Sequence, residues 1–459
     1  MMPPRSRQPA QLKFSPHRVL GRAAAMRAVL FWAVALLPAL TGLVAAQATL
    51  RFDDSGALRI VQLADVHVGE GAADAHTVQL VRRVLAAERP GLAVLSGDMV
   101  SGFAFPAGDV AGRLGRLFDR GSSTHLTASW YERQWRRLVA PLHAAGVPYA
   151  AILGNHDGEA DLGRRGVTEL ASAVGGSLSL TLPGPEGLPG GGNYWIDVLE
   201  PQGEAVAARI WMVDSGNRGC GQLAWGWGCV PVDTVEWVRQ QAALLPRVPS
   251  LAFVHIPLPQ HMLAWERGPV NGTKGEMVGC PGMDTGFFEL AREVGITAVY
   301  SGHDHNNDFA GTVHGVRLAY GRKSGFGSYG PAGRLQHGAR VIELRQGEDP
   351  AGSPTWIRQE DGSQQFQAAG PEDRPFRQHT CNLDASGCDN SLGPRACLAL
   401  RSARNAATLL AVLAGLAVAA TTTSLAAFVL ARRVQQHLRR QRGWQQVKSS
   451  EKPLGPAAV

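Results

Sequence analysis

Histidine, aspartate and asparagine residues recur in this chain directly after short apolar segments. They fall in five motifs: Asp65-Val66-His67, Gly97-Asp98, Gly154-Asn155-His156-Asp157, Val254-His255 and Gly302-His303-Asp304-His305. Carboxylate, amide and imidazole groups suit zinc, manganese and iron, and a carboxylate can bridge two such ions. Two adjacent ions can hold a phosphate and supply hydroxide at neutral pH. The set therefore predicts metal-assisted hydrolysis of a phosphoric ester.

The prediction depends on the ordered set of motifs. An isolated histidine is more often a core or surface residue than a ligand. His303 and His305 are more informative, because residues two apart in an extended segment place both imidazoles on one side. Gly97, Gly154 and Gly302 would let the backbone turn sharply and approach a metal ion closely.

Each motif follows an apolar segment that is typical of a buried strand. These segments are residues 59–64, 92–95, 149–153, 251–254 and 296–300, and a sixth, 209–213, ends at Asp214, which is not counted as a ligand. Apolar residues at helical spacing precede Pro90 and predict a helix between the first two strands. Alternating strands and helices indicate an α/β domain. In open α/β sheets, ligands bind beyond the carboxyl ends of the strands, where all five motifs lie.

The motifs resemble those of the calcineurin-like metallophosphoesterases, over about residues 58–344. Three segments are most similar to the plant and fungal purple-acid-phosphatase-like branch of that family. They are residues 255–259, 302–309 and 320–327. The resemblance implies an α/β fold in which two mixed β-sheets pack face to face and helices flank them.

The resemblance also implies a role for each site residue. The ligands would be Asp65, His67 and His305 for a first metal ion, Asn155, His255 and His303 for a second, and Asp98 as the bridge. His156 would lie over the substrate and protonate or polarise the leaving oxygen. Asp157 would orient His156, with a turn-capping role as its alternative. The cofactors would be two divalent or trivalent ions, namely zinc, manganese or iron.

One departure from the family pattern concerns the first metal ion. True purple acid phosphatases have a tyrosine three residues after the bridging aspartate and a glycine in the first motif. Ser101 and His67 stand at these positions. The tyrosinate that stabilises iron(III) and produces the colour is absent, and His67 supplies a ligand instead, as in the broader family. The metal identities therefore stay open.

Hydrophobic segments near both ends predict a membrane topology. Residues 1–46 combine basic residues with an apolar segment, which is typical of a signal peptide that could start at Met26. An uncleaved anchor or a transit peptide is the alternative. Residues 406–431 are uncharged and long enough to span a bilayer, and a basic tail, 432–459, follows. We expect a single-pass type I membrane protein with a lumenal or extracellular catalytic domain; a buried core helix is the alternative for 406–431.

The cysteines and a glycosylation sequon agree with that compartment, and the charge bears on the partners. The six cysteines lie between the two hydrophobic segments, and Cys220 with Cys229 and Cys381 with Cys388 are the predicted local disulfides. Asn271-Gly272-Thr273 is a glycosylation sequon. Of the net charge of +7, residues 1–47 and 432–459 carry +6 each, so the part between them carries −5. Nucleic acid is therefore not an expected partner; a phosphate ester and the membrane are.

The expected organisation is a catalytic domain at residues 51–345 and a juxtamembrane stalk with cysteines at 346–405. The leading function is that of a phosphomonoesterase in which a hydroxide bridging two metal ions attacks phosphorus in line. A phosphodiesterase acting on a nucleotide, lipid or glycolipid anchor would use the same ligands. A non-catalytic receptor or scaffold is a third reading, which the complete ligand set disfavours. Trp225, Trp227 and Trp265 could line a substrate cleft or pack in the core.

Overall fold

The computed structural model describes residues 50–106, 129–221, 223–333, 335–370, 378 and 380–381. The helices are α1 (Ala73–Glu88), α2 (Trp130–Ala145), α3 (Arg164–Gly175), α4 (Val232–Leu244), α5 (Gln260–Arg267) and α6 (Phe287–Val294). The strands are β1 (Leu50–Arg51), β2 (Ala57–Leu63), β3 (Leu92–Ser96), β4 (Tyr149–Ile152), β5 (Tyr194–Leu199), β6 (Val206–Val213), β7 (Arg218–Cys220), β8 (Leu223–Trp227), β9 (Ser250–Val254), β10 (Val270–Asn271), β11 (Ile296–Ser301), β12 (Ala310–Val313), β13 (Val316–Tyr320), β14 (Gly338–Arg345), β15 (Thr355–Gln359) and β16 (Gln364–Gln365).

The strands form two mixed sheets and a small ribbon. One sheet has the order β1-β5-β6-β9-β11-β13-β12-β10, and the other has the order β16-β15-β14-β2-β3-β4. β6, β9, β11 and β13 run parallel in the centre of the first sheet, and β2, β3 and β4 run parallel in the second. Antiparallel strands extend both sheets, and β7 pairs with β8 alone. Because they are parallel, the central strands of each sheet have their carboxyl ends on the same side.

The two sheets pack face to face. Ile60 of β2 and Val94 of β3 share one buried cluster with Phe253 of β9 and Tyr300 of β11. Side chains alternate along a strand, so Val61 points to the opposite face, where it packs with residues of α1 and α2. α4, α5 and α6 cover the outer face of the larger sheet. The predicted α/β fold with two mixed sheets and flanking helices is confirmed.

The strands that precede the motifs are also confirmed. β3, β4, β9 and β11 begin within one residue of the predicted segments, and every residue of β3, β4 and β9 is buried. The helix predicted before Pro90 is α1, which ends at Glu88 because Arg89 adopts the left-handed conformation, with φ of 46°. A buried strand needs apolar side chains on both faces, which is why these segments were readable.

The predicted end of the catalytic domain at residue 345 is too early. β15 pairs with β14 from Ile342↔Thr355 to Gly338↔Gln359, so the sheet continues into the predicted stalk. Further on, the Gln378 side chain accepts a hydrogen bond from the Val278 backbone N–H at 2.7 Å. The composition of this region concealed the strand, because β15 lies next to the edge strand and is only partly buried, so its sequence is not continuously apolar.

The disulfides show one confirmed pair and one correction. Cys220 and Cys229 are bonded as predicted. Cys381 bonds to Cys280, 101 residues away, so the predicted Cys381–Cys388 pair is wrong. Nearness in sequence favoured Cys388, but the fold brings residue 381 beside the segment before α6.

In the described part of the chain, no helix has the length and apolar character needed to cross a bilayer. The predicted signal peptide (1–46), the predicted transmembrane helix (406–431) and the predicted tail (432–459) lie outside the described residues.

Candidate metal centre

The predicted ligands meet where the central strands of the two sheets end. Asp65, Asp98 and Asn155 follow β2, β3 and β4, which are neighbours in the smaller sheet. His255 and His303 follow β9 and β11, which are neighbours in the larger sheet. Because the sheets pack face to face, their carboxyl ends bring these side chains to one edge of the domain.

Two clusters share one carboxylate. Donor atoms of four side chains lie within 4.8 Å of one another in the first cluster, and those of three do so in the second. The first consists of Asp65, His67, Asp98 and His305, and the second of Asp98, His255 and His303. The structure thus places Asp98 in both clusters, as expected for a bridging ligand.

Asn155 completes the second cluster. Its Oδ1 lies 3.2 Å from His255 Nε2 and 2.8 Å from His303 Nδ1. All seven predicted ligands are buried. Unpaired carboxylates and imidazoles at this depth are costly unless they bind a cation or one another. The oxygen and nitrogen donors fit two ions of the zinc, manganese or iron type.

The backbone is strained at the ligands. Asp65, His67, Asp98 and His303 have φ values of 53°, 52°, 53° and 77°. They are four of the seven non-glycine residues with positive φ in the described ranges. Such conformations cost about 1–3 kcal/mol each and persist at sites where the surrounding structure enforces them. The backbone conformation that positions these four ligands therefore lowers the stability of the fold.

Two glycines allow the close approach that their sequence position predicted. A Cβ atom on Gly97, whose φ is 97°, would lie 2.3 Å from His255 Nδ1. A Cβ atom on Gly154 would lie 2.1 Å from Asp98 Oδ1. Any side chain at Gly97 or Gly154 would therefore displace a ligand.

Hydrogen bonds behind the histidines fix which nitrogen faces the centre. His255 Nδ1 donates to the Ser96 carbonyl at 3.0 Å, and His305 Nδ1 donates to the Tyr329 carbonyl at 2.7 Å. Both rings therefore present Nε2 to the cluster. His303 is turned the other way, with Nδ1 toward Asn155. Outer hydrogen bonds of this kind select the tautomer and orientation of a ligand histidine.

Ser101 has a clear role at the position where purple enzymes have tyrosine. Its hydroxyl accepts from His67 Nδ1 at 3.0 Å and donates to the carboxylate of Glu70. Glu70 also accepts from the backbone N–H of Ser328 at 2.9 Å. Ser101 and Glu70 thus hold His67, the ligand that the sequence pattern added.

His156 lies beside the centre without joining a cluster. Its backbone N–H donates to Asp98 Oδ1 at 2.8 Å, and its side chain is 25% exposed. Its Nδ1 lies 2.7 Å from Glu159 Oε2. Burial lowers the pKa of His156, but the negative charges of Asp98 and Glu159 reverse this effect and raise it above its ordinary value.

The predicted contact of Asp157 with His156 is wrong. The Asp157 carboxylate is fully buried and ties the loop after β3 to the loop after β4. Its donors are the backbone N–H groups of Met99, Val100 and Gly154 and the hydroxyl of Tyr131. Glu159 is the residue that sequence reasoning missed. The only indication of this role in the sequence is that an acidic residue lies three positions after His156.

Aromatic rings surround the centre. Phe103 lies 4.9 Å from the His156 ring, Tyr329 stacks at 4.1 Å on His305, and Trp227 meets His303 edge-on at 4.3 Å. Trp265 is 1% exposed and belongs to the core behind the larger sheet, so packing is its role. The side chain of Trp225 lies outside the described part of the structure.

The two-sheet fold and the paired histidine and carboxylate clusters together define a metallophosphoesterase. The family model for calcineurin-like phosphoesterases matches residues 58–307, more than half of the chain. The chain therefore belongs to the calcineurin-like phosphoesterase family.

Similar proteins carry different names. "Probable inactive purple acid phosphatase 14" of Arabidopsis thaliana is 28% identical over 334 residues, which cover 64% of this chain and 77% of the relative. "Phosphatase DCR2" of Saccharomyces cerevisiae is 27% identical over 340 residues, which cover 67% of this chain and 55% of the relative. Among solved structures, a dimetal phosphatase from Danio rerio is 15% identical, with a TM-score of 0.37 and coverage of 65% and 98%.

Proposed function

We propose that this protein is an active phosphatase that hydrolyses phosphomonoesters with two bound metal ions. The observation that carries the proposal is the pair of buried clusters that share Asp98, with His156 beside them. Metal ions bound there would neutralise the phosphate and supply hydroxide at neutral pH for in-line attack.

The residues of the chain divide the remaining work. Asp98 belongs to both clusters and fixes the distance between them. His156 is at the exposed side of the centre, and its Nδ1 is engaged by Glu159, so Nε2 is the nitrogen left to face a substrate. A protonated His156 would donate the proton on Nε2 to the leaving oxygen as the ester bond breaks. Asp157 keeps the two loops together and contacts neither the substrate side nor the His156 ring.

The names of the plant relatives favour a second reading, a non-catalytic member of the family. Loss of activity in such a fold usually shows as loss of a ligand or of the proton donor. Here the seven ligands and His156 are all present, and the ligand backbone keeps its strained conformation. The strained ligands support metal binding, and the retained His156 supports catalysis.

The test is a substrate panel on the purified full-length chain. Phosphomonoesters and phosphodiesters are compared with zinc, manganese and iron added separately. We expect monoester hydrolysis that Asp98→Asn removes and that Asp361→Asn, an exposed aspartate after β15, leaves unchanged. Faster turnover of diesters would establish the phosphodiesterase reading. Turnover of neither class with any metal would establish the scaffold.

We also propose the type I orientation, with the catalytic domain lumenal or extracellular and the chain anchored through residues 406–431. Two disulfides among the described residues support an oxidising compartment. Asn271 and Thr273 of the sequon are exposed, so a glycan could be attached there. Protease treatment of intact microsomes should spare the catalytic domain and remove an epitope after Val459. A protease-accessible, unglycosylated catalytic domain would contradict this orientation.

A further inference from the structure

Two large rings remain exposed directly at the metal centre. In the described part of the chain, Phe103 and Tyr329 are among the few large apolar side chains that are exposed, each at 51%. Phe103 contacts His156 at 4.9 Å and lies 6.2 Å from His67, and Tyr329 stacks on His305. An exposed apolar surface that touches a functional site usually has an apolar partner.

Both rings are held in place by the framework of the centre. Phe103 follows Gly102, where a Cβ atom would lie 2.3 Å from the His156 carbonyl oxygen, so this turn packs tightly on the His156 backbone. The Tyr329 hydroxyl donates to Glu276 Oε2 at 3.0 Å, and its carbonyl accepts from His305 at 2.7 Å. The Gly102 turn and the Tyr329 hydroxyl therefore position the two rings beside the ligands, so the protein would lose little conformational entropy when a group packs on them.

Acidic side chains hold the residues around Phe103 and Tyr329 in place. Glu70 supports Ser101, Glu159 holds His156, and Glu276 holds Tyr329. The nearby Lys323 is buried and donates to the Asp65 carbonyl at 3.1 Å. A second anionic group placed beside Phe103 and Tyr329 would lie near the carboxylates of Glu159 and Glu276. Repulsion between these like charges disfavours polyphosphates and acidic esters as substrates.

We propose that Phe103 and Tyr329 form a subsite for the organic group of the substrate. The preferred substrates would be monophosphate esters of aromatic or other apolar alcohols without a second anionic group. The proposal rests on the proposed function, because the metal centre must hold the phosphate for the alcohol to reach the rings.

The test compares phenylpropyl phosphate with propyl phosphate. Their alcohols have nearly the same basicity, so the ratio of their kcat/KM values reports the contact with the added ring and is insensitive to the chemistry of the leaving group. We expect a ratio of about tenfold or more in favour of the phenylpropyl ester. Carboxypropyl phosphate, which adds an anion in place of the ring, should be poorer than propyl phosphate by about tenfold.

Variants locate the effect. Phe103→Ala and Tyr329→Ala should each lower the ratio toward one, whereas Phe103→Tyr, which keeps a ring, should preserve it. Phe366→Ala is the matched control, since Phe366 is 69% exposed and follows β16 at the far edge of the smaller sheet. Thermal unfolding and metal content of each variant show that it is folded and loaded.

The outcomes separate this inference from the proposed function. If both esters are hydrolysed with equal kcat/KM, or if Phe366→Ala changes the ratio as much as Phe103→Ala does, the subsite is wrong and the phosphatase stands. If no ester is hydrolysed by the metal-loaded wild-type protein, the proposed function itself is wrong.

Discussion

Replacing Glu159 by alanine tests how His156 is prepared as a proton donor. The two side chains are 25% and 23% exposed, and His156 Nδ1 lies 2.7 Å from Glu159 Oε2. A hydrogen bond of this kind to a charged group contributes about 1.5–3 kcal/mol. Because each 1.4 kcal/mol corresponds to about tenfold in rate, its loss should slow the proton-dependent step by about 10–100-fold. Glu159 acts through His156, so it is a positioning residue.

The assay uses esters whose leaving groups differ in their need for a proton. Nitrophenolate leaves readily without protonation, whereas an alkoxide does not. We expect Glu159→Ala to reduce kcat for propyl phosphate by about 10–100-fold and kcat for nitrophenyl phosphate by only a few-fold. Glu159→Gln keeps an acceptor and should lose less. Glu169→Ala is the matched control, because Glu169 of α3 is exposed and, among the described residues, forms an ion pair with Arg165.

Two results would refute this reasoning. An equal loss on both esters, together with lower metal content, would show that Glu159 shapes the metal centre and has no part in proton donation. Undiminished turnover of propyl phosphate in Glu159→Ala would show that the orientation of His156 does not limit the reaction.

Four further predictions concern residues at and behind the centre. Gly154→Ala should lose metal and activity, because its Cβ would lie 2.1 Å from Asp98 Oδ1, while Gly163→Ala, with nothing within 4 Å, should lose neither; metal analysis distinguishes them. Ser101→Ala should weaken metal binding at the first cluster by about 10–100-fold in a competition titration, because Ser101 holds the ligand His67. An iron-loaded wild type should show no strong visible charge-transfer band, because Ser101 stands where purple enzymes have tyrosine. A purple preparation would contradict the prediction about the band. Replacing both cysteines of the Cys280–Cys381 disulfide should lower the free energy of unfolding by about 2–5 kcal/mol in denaturant titrations; an unchanged midpoint would contradict this.

The sequence was most informative where information is local. β3 and β9 are buried on both faces, so their residues are apolar throughout and the strand is readable from composition. The ligands follow the strands at once, and Gly97 and Gly154 mark the close approaches. The ligand positions could therefore be predicted from short motifs.

The sequence was less informative where a contact depends on the turn or on distant pairing. Asp157 and Glu159 are both acids near His156, and only the fold shows that Asp157 is occupied by backbone N–H groups of the loop after β3. β15 carries polar residues because it lies near the edge of its sheet, so its pairing with β14 left no periodic signal. The Cys280–Cys381 bond likewise joins segments that only the fold brings together.

The most direct test of the proposed function is a metal titration of the chelator-stripped, full-length chain, with bound metal and monoester hydrolysis measured on the same samples. The two clusters predict that activity rises as a second ion per chain binds, and that Asp98→Asn loses both the second ion and the activity. Two tightly bound ions without hydrolysis of any phosphoester, or full hydrolysis in the stripped protein, would contradict the account.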